Sequence, residues 1–292
     1  MTTLHGYEEE IVLLQMPAPS STSHAALKGK SLEAVREAIR RGAYTRHTAG
    51  LGAGHLQCNL VILSLSDAAD FEAYCAANAQ ACPLVGMSKP GDPTIPSLGA
   101  VIDLRTDVPL YNVYRNGVLD ASVTDLKTLW QDDWVAFAIG CSFTFERALM
   151  EAGIAMRHVE QDRTVPMFIT NRQTVPSGVF QGAMVASMRP IAEPDVDRAK
   201  SISGRYPLAH GAPIHIGDPD GLGIANLDAP NWGDQLDVLP GEVPVFWACG
   251  VTPQVAITNA KPAICVTHAP GSMLITDLDE FHGAVDGATD AA

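Results

Sequence analysis

Two segments of the chain share one pattern: an apolar run, then glycine beside cysteine, then a hydroxyl residue where a helix should begin. They are AFAIGCSFTFERAL, around Cys141 and Ser142, and VFWACGVTPQVAI, around Cys249 and Thr252. Each predicts a buried strand that leads directly into a helix. Strands mixed with helices in this way favour an α/β fold class. The two segments are either halves of an internal duplication or, as the lack of a fixed period favours, a shared local solution.

Shorter signals predict the remaining elements. Ser31 is placed to cap a helix that Gly42 ends, and Asn116-Gly117 is typical of a hairpin turn because both positions accept positive φ. We expect Thr252 to cap a helix whose first residue is Pro253. Other expected elements are a strand over 56–64, a helix over 67–80 capped by Ser66, an irregular crossing over 83–99, a strand over 134–140, three β-prone runs over 154–190, and the closing strands AICVTH and SMLITDL.

The predicted organisation is a single catalytic unit over residues 31–280. It follows a loosely attached leader, residues 1–30, whose PAPSSTS patch shows little periodicity, and it precedes a tail, residues 281–292. A smaller α+β region is expected within 154–240, where short strands alternate with turns.

The composition is that of a globular protein, with 47% hydrophobic and 18% charged residues. The net charge of −14 repels nucleic-acid phosphates and anionic membranes, so neither is an expected partner. The six cysteines form no CxxC pair, which favours reduced thiols. Because no signal peptide and no apolar run of ~20 residues is evident, we expect a cytoplasmic enzyme, and base rates favour a homo-oligomer.

The first residues of both junction helices are candidates for binding a ligand. A helix N-terminus offers free backbone N–H groups and a positive dipole end, and in open α/β sheets ligands bind where strands end. The candidate residues, in one site or two, are Cys141, Ser142 and Glu146 at the first junction and Cys249, Thr252 and Gln254 at the second. The alternative is that the hydroxyl residues only cap helices and the cysteines only pack.

The string HGAPIHIGDP holds His210, His215 and Asp218 in a loop rich in glycine and proline. Such groups can shuttle protons or bind a divalent metal, Mn²⁺ or Mg²⁺, for which we expect His215 and Asp218 as ligands. No standard zinc spacing is matched, so structural hydrogen bonding by the imidazoles is the alternative. His268, beside a Pro-Gly turn, is a further candidate.

Two arginines are candidates for binding a substrate carboxylate, because guanidinium presents a planar set of donors. They are Arg105 and Arg189, and the alternative for either is a structural salt bridge, for example with Asp103 or Asp107. The sequence has no Walker A, G-x-G-x-x-G, GxSxG or HExxH motif, so no organic cofactor is expected.

A series of strings runs from about residue 31 to about residue 280: REAIRRGAYTRHTAG, HLQCNLVIL, IDLRTDVPLY, IGCSFTFERAL, VPMFIT, VASMRP, HGAPIHIGDP, VPVFWACGVTPQ and THAPGSMLITDL. In this order they resemble the hydro-lyase or D-glutamate cyclase family of bacterial proteins. The resemblance implies an α/β fold with a larger three-layer α/β/α part and a smaller two-layer α+β part. It also implies a lyase that converts D-glutamate into 5-oxo-D-proline and water.

That reaction needs a base for the ammonium, a stabiliser for the oxyanion and an acid for the departing water. We expect Glu146, or one of His210 and His215, as base and acid. Helix amides near Ser142 or Thr252, with or without a metal, would stabilise the oxyanion.

In the same hypothesis, Arg105 or Arg189 binds the α-carboxylate. Alternatively, Cys141 or Cys249 forms an acyl-enzyme, because a thiol at a helix N-terminus can have a lowered pKa. Two other functions remain open: a hydro-lyase or amide hydrolase that acts on another small dicarboxylic or amino acid, and a metabolite-binding protein without catalysis.

Overall fold

The computed structural model describes residues 20–285, which fold around two antiparallel sheets. In chain order the helices are α1 (His24–Leu27), α2 (Leu32–Arg40), α3 (Leu65–Ala77), α4 (Phe143–Glu151), α5 (Arg157–Glu160), α6 (Val196–Gly204) and α7 (Thr252–Ala260). The strands are β1 (His55–Ser64), β2 (Leu84–Met87), β3 (Tyr111–Arg115), β4 (Val118–Val123), β5 (Trp134–Gly140), β6 (Met167–Gln173), β7 (Ala183–Ala192), β8 (His215–Ile216), β9 (Glu242–Ala248), β10 (Cys265–His268) and β11 (Leu274–Asp279). Short 3₁₀ turns occupy Glu193–Asp195, Pro207–Ala209 and Pro219–Leu222.

Strand β1 is the centre of the larger, seven-stranded sheet. β5 pairs along one edge of β1, while β11 and β10 pair in succession along the other edge. β2 extends the sheet beyond β5, and the β3–β4 hairpin extends it beyond β10. All these pairs are antiparallel. The rule that ligands bind at the carboxyl ends of parallel strands, which supported the expected site, therefore does not apply to this sheet.

The two faces of the larger sheet are covered by different kinds of structure. On one face, α3 and α7 pack Phe71 and Ile257 against β1 and β5. On the other face, the irregular segment 95–108 packs Leu98 and Leu104 against the same strands. Strand β1 is consequently buried on both faces, which explains why its sequence is apolar without strict alternation.

The smaller sheet has the strand order β6-β7-β9-β8. Helix α4 packs Phe145 and Leu149 against β7 and β9 of this sheet and also contacts β1 of the larger sheet. Helix α7 packs on the larger sheet and contacts β7. Both junction helices therefore lie between the two sheets.

Several expectations from the sequence are confirmed. The fold class is α/β, with a larger and a smaller sheet. The Ser31 hydroxyl accepts a hydrogen bond from the backbone nitrogen of Ala34 at 3.3 Å, as an N-cap should. Asn116 and Gly117 have φ values of 50° and 78° and form the turn between β3 and β4.

Some local expectations are wrong. Helix α3 begins at Leu65 and not after Ser66, because Ser64 ends β1 and its hydroxyl contacts Ser66 and Asp67. The expected irregular crossing over 83–99 contains β2, which pairs with β5.

Two further boundaries differ from the prediction. The β-prone run over 154–160 forms the short helix α5, which directs His158 and Val159 into the interior. Helix α7 begins at Thr252, so Val251 is in the N-cap position and Pro253 lies within the first turn.

Residues 20–30, the described part of the predicted leader, pack against the rest of the protein. Helix α1 buries His24 and Leu27, and Oγ of Ser20 lies 3.0 Å from Oγ1 of Thr45. Residues 1–19 and 286–292, which include the rest of the leader and most of the predicted tail, lie outside the described residues. Between residues 20 and 285, no helix is both long and apolar enough to cross a membrane.

Candidate active site

The two strand-to-helix junctions meet at one cleft. Cys141 and Ser142, which follow β5, and Cys249, which follows β9, all line it, together with Asn59 of β1. The other residues that line the cleft are Phe143, Thr164, Val165, Met167, Val251, Gly271 and Met273. The sequence left open whether the junctions form one site or two, and the structure brings them into one.

Each of the two cysteines is next to a glycine that lets another segment come close. A Cβ on Gly140 would lie 1.5 Å from the carbonyl oxygen of Leu208. A Cβ on Gly250 would lie 1.9 Å from the side-chain nitrogen of Asn59. A side chain at Gly140 would require backbone movement, and one at Gly250 would displace the buried Asn59 side chain from the cleft, so the packing around the cleft favours glycine at both positions.

Burial keeps both thiols protonated. It raises the pKa of Cys249 to about 11 and places that of Cys141 higher still. The backbone N–H groups of Val251 and Phe143, each two residues beyond the thiol, oppose this effect without offsetting it. The expectation that these helix N-termini lower the pKa of the thiols is therefore wrong, because desolvation outweighs the helix amides.

Ser142 connects the cleft to a buried charged network. Nη2 of Arg189 donates to Oγ of Ser142 at 2.9 Å and to Oε1 of Glu146 at 2.5 Å, and Nε donates to the same carboxylate oxygen at 3.0 Å. Nε2 of His158 lies 2.9 Å from that oxygen, out of line for a hydrogen bond. Because the Ser142 hydroxyl accepts from Arg189, its own proton is free to be donated into the cleft.

The charges of this network determine the state of Glu146. Burial alone would raise its pKa, but interactions with His158 and Arg189 outweigh burial and lower it below the ordinary value. Glu146 also lines a second cavity, whose wall includes the glycine-rich segment 50–54. Phe143 lines both this cavity and the cleft. Glu146 thus acts on the cleft through Arg189 and Ser142.

Arg189 is enclosed by the protein. Its guanidinium carbon lies 5.4 Å from the ring centre of Phe145 and 5.3 Å from that of Trp247, and Nη1 donates to Oγ of Ser187 at 3.1 Å. The residue is only 1% exposed, and each of its nitrogens is already engaged. This geometry favours a structural role over the expected contact with a substrate carboxylate.

Arg105 forms a salt bridge with Asp103, which was the alternative to binding a substrate carboxylate. Its Nε and Nη2 donate to the two carboxylate oxygens of Asp103 at 2.9 and 2.8 Å. Arg105 does not line the cleft.

Thr252 and Gln254 hold the second junction in place. The Thr252 hydroxyl donates to the carbonyl of Cys249 at 2.7 Å and accepts from the backbone nitrogen of Val185 at 3.0 Å. The Gln254 amide donates to the carbonyl of His268 at 3.2 Å. Both side chains are hydrogen-bonded to backbone groups, and neither lines the cleft.

Two of the predicted histidines are buried and engaged by backbone groups. Nδ1 of His210 is 2.8 Å from the carbonyl of Gln80, and Nδ1 of His268 accepts from the backbone nitrogen of Leu60 at 3.1 Å. Burial lowers the pKa of each to about 4, so both imidazoles are neutral at pH 7. His210 lies beside the first junction, near enough to Arg189 for that charge to lower its pKa further.

The expected metal ligands His215 and Asp218 make different contacts from those predicted. Nε2 of His215 lies 2.6 Å from the backbone carbonyl of Asp218. The carboxylate of Asp218 accepts from the backbone nitrogen of Asp220 at 3.0 Å and caps a 3₁₀ turn. Neither residue lines the cleft.

Three residues of the site were missed in the sequence. Asn59 is the polar residue inside the apolar run LQCNLVIL, and that interruption is a signal that could have identified it. His158 was hidden because its segment was predicted as a strand. Thr164, which lines the cleft, lies in a loop without a recognisable motif.

The fold and the cleft define an α/β protein with a buried, thiol-lined site between two sheets. Comparison with known proteins adds a family: the sequence profile described as D-glutamate cyclase matches residues 135–277. A protein of Dinoroseobacter shibae is 56% identical over 273 residues, which cover 91% of this chain and 91% of that protein. A protein of Ruegeria pomeroyi is 57% identical over 89% of this chain and 94% of its own length.

A third relative, from Bordetella petrii, is 49% identical over 88% of this chain and 97% of that protein. The names of all three relatives contain the words "Putative hydro-lyase". The chain belongs to the D-glutamate cyclase family, as its resemblance in sequence implied.

Proposed function

We propose that this protein is a lyase that cyclises D-glutamate to 5-oxo-D-proline with loss of water, and that the reaction takes place in the cleft. The observation that carries the proposal is that two helix N-termini and two thiols share one cleft. The family and the relatives' hydro-lyase names support the class of reaction. The substrate is a small amino dicarboxylic acid, and the cytoplasmic location and a homo-oligomeric state remain predictions.

The two helix N-termini suit a substrate with two carboxylates. Each N-terminus carries a partial positive charge, which favours an anion, and the backbone N–H of Phe143 at one end and of Val251 at the other lies beside the thiol. One end would hold the α-carboxylate, and the other would stabilise the oxyanion that forms at the γ-carbon. The free O–H of Ser142 adds a third donor to that oxyanion.

The reaction conserves protons within the substrate. The nitrogen–Cγ bond forms, a Cγ–O bond breaks, and the two protons that the ammonium loses leave with that oxygen as water. Among the described residues that line the cleft, Cys141 and Cys249 are the only ones of the types Cys, His, Asp and Glu. Because both thiols are protonated in the free protein, we assign them a relay in which each gives its proton to the departing oxygen and takes one from nitrogen, so that two protons are transferred and both thiols end neutral.

The remaining expected residues support this cleft indirectly. Glu146 keeps Arg189 in place, and Arg189 orients the Ser142 hydroxyl. His210 and His268, as neutral buried imidazoles, fix the segments around the junctions. A base or acid role for His215, and Mn²⁺ or Mg²⁺ binding by His215 and Asp218, remain predictions, because these residues lie outside the cleft lining.

The test is to incubate the purified protein with D-glutamate and, separately, with L-glutamate, and to quantify 5-oxoproline by chiral chromatography. We expect product from the D-isomer, with one ¹⁸O atom of a labelled γ-carboxylate recovered in water. The double variant Cys141→Ala/Cys249→Ala serves as the control for spontaneous cyclisation and for contaminating enzymes.

Three results would replace the proposal with an alternative. Turnover of another small acid, but not of D-glutamate, would assign a different hydro-lyase reaction. Opening of 5-oxoproline without measurable closure would assign an amide hydrolase. Tight binding of D-glutamate with no chemical change would assign a metabolite-binding protein.

A further inference from the structure

Three side chains that the proposed reaction does not use converge outside the cleft lining. They are His24 on α1, His47 in the loop before β1, and Asp162 just after α5. Their ligand atoms all lie within 4.8 Å of one another. Nδ1 of His24 is 3.2 Å from Oδ1 of Asp162, and Nε2 of His47 is 3.0 Å from the same oxygen. Three segments far apart in sequence thus bring two imidazoles to one carboxylate.

The orientation of His24 points to a cation in this cluster. Its Nε2 lies 2.8 Å from the backbone carbonyl of Ala49, which can only accept, so Nε2 carries the hydrogen. In the neutral imidazole, Nδ1 then directs its lone pair at the carboxylate of Asp162. Two facing acceptors at 3.2 Å require a positive charge between them, either a proton or a metal ion. A ring N–H fixed by a backbone carbonyl is the usual outer support of a metal-binding histidine.

His47 and Asp162 each direct one ligand atom into the cluster. Nε2 of the buried His47 lies 3.0 Å from Oδ1 of Asp162. The other oxygen of Asp162 accepts from Nη2 of Arg46 at 3.2 Å, which orients the carboxylate and leaves Oδ1 to the cluster. The positive charge of Arg46 would repel a bound cation, and the carboxylate of Asp162, which contacts Arg46 and the cluster, offsets that repulsion.

The spacing of the ligand atoms fits coordination. Metal–ligand bonds of ~2.0–2.1 Å in a tetrahedral site separate neighbouring ligand atoms by about 3.3 Å. The observed separations of 3.0 and 3.2 Å are close to this value. Two nitrogen ligands and one oxygen ligand favour Zn²⁺ or a similar transition-metal ion over Mg²⁺ or Ca²⁺, which prefer oxygen.

The cluster adjoins the cleft. A Cβ placed on Gly271 would lie 3.2 Å from Cβ of His47 and 3.1 Å from Cγ2 of Thr164, and both Gly271 and Thr164 line the cleft. The Asp162 side chain is 47% exposed, so the cluster is open on one side. We propose that His24, His47 and Asp162 bind a divalent transition-metal ion at the rim of the cleft, with a coordination position open to solvent or to an anionic ligand.

The test measures metal binding without reference to turnover. Full-length protein, freed of any tag and treated with a chelator, is titrated with Co²⁺, followed by its visible spectrum, and then with Zn²⁺ in competition. We expect one ion per chain and a tetrahedral or five-coordinate Co²⁺ spectrum. Because loss of an outer-shell partner alone weakens metal binding ~10–100-fold, His24→Gln, His47→Gln and Asp162→Asn should each weaken it by at least about 100-fold.

The matched control is the double variant His282→Gln/Asp220→Asn, which removes an exposed imidazole and an exposed carboxylate elsewhere on the chain. It should bind Co²⁺ and Zn²⁺ as the unchanged protein does. Thermal unfolding monitored by circular dichroism verifies that each variant is folded. Absence of one-to-one binding in the unchanged protein, or unchanged binding by a folded Asp162→Asn variant, would overturn the metal site and leave a histidine–aspartate ion pair. Neither outcome depends on D-glutamate being the substrate.

Discussion

The two junctions have the same local sequence pattern but different surroundings. At the first, the hydroxyl of Ser142 meets a guanidinium that is itself bound to Glu146. At the second, the hydroxyl of Thr252 bonds only to backbone groups of Cys249 and Val185. The hydroxyl of the first junction therefore connects the cleft to a charged network, whereas the hydroxyl of the second only holds the local backbone.

This difference shows that a local motif fixes a backbone shape and leaves the chemistry to its neighbours. Arg189 belongs to β7 and His158 to α5, and neither is near the first junction in sequence. The pKa values of the two thiols also depend on their neighbours. Cys141 has Glu146 and Cys249 as additional neighbours that raise its pKa, whereas Cys249 has only burial raising it, opposed by Val251 and Arg189.

The largest expected effect comes from breaking the charged network of the first junction. Glu146→Gln removes the carboxylate from a buried arginine and leaves its charge uncompensated, which costs about 3–5 kcal/mol of folding free energy. The free energy of unfolding in urea measures this loss. The double variant Glu146→Leu/Arg189→Met should lose less than Glu146→Gln, because no unpaired charge remains. A loss below about 1 kcal/mol in Glu146→Gln would contradict the network.

The same network sets a pH dependence. The pKa of Glu146 is lowered in the folded state, so its contribution to stability is present above the ordinary carboxyl pKa of 4.5 and is lost as pH falls through the lowered value. Urea titrations below pH 5 should show a smaller acid-dependent loss in Glu146→Gln than in the unchanged protein.

The next effect compares the two thiols in catalysis. If both relay protons, Cys141→Ala and Cys249→Ala should each reduce kcat for D-glutamate by about 100-fold or more. Cys265→Ala is the matched control, since that cysteine is also buried but lies in β10 and does not line the cleft. Wild-type turnover in either cleft variant would eliminate the relay and return the proton transfers to Glu146 or His210.

A titration distinguishes the thiols directly. Burial raises the pKa of Cys249 to about 11 and that of Cys141 further, so the Cys249 thiolate should form first as pH rises. Because these folded-state values are raised, the stabilisation from the neutral thiols is complete below pH 9 and is lost as pH rises through 11. Thiolate absorbance at 240 nm should show a step near pH 11 that Cys249→Ala lacks. An earlier step that persists in this variant would reverse the assigned order.

The sequence predicted elements whose cause is local. Ser31 caps its helix and Asn116-Gly117 turns its hairpin because each depends on a few adjacent residues. The junctions themselves were found for the same reason. Their convergence was not decidable, because it depends on which strands pair and on α4 and α7 lying between two sheets.

The charges of the site were harder to predict than its position. The depth of burial decides that the thiols have raised pKa values, and sequence spacing carries no measure of depth. Arg189 was identified as unusual in its apolar surroundings, but its partner Glu146 is 43 residues away. Only the three-dimensional arrangement shows that this arginine is occupied by the protein.

The smallest expected effect separates the two hydroxyls. Ser142→Ala removes a donor from the cleft and should reduce kcat about 10-fold, at a cost of ~1 kcal/mol for the lost Arg189 bond. Thr252→Val should do the reverse: it leaves the backbone nitrogen of Val185 unsatisfied, which costs ~1–3 kcal/mol, and should change kcat less than 3-fold. Steady-state kinetics and urea denaturation give kcat and the free energy of unfolding for each of the two variants. If both substitutions changed kcat and stability in parallel, the two junctions would be equivalent, and the asymmetry inferred from their surroundings would have no functional consequence.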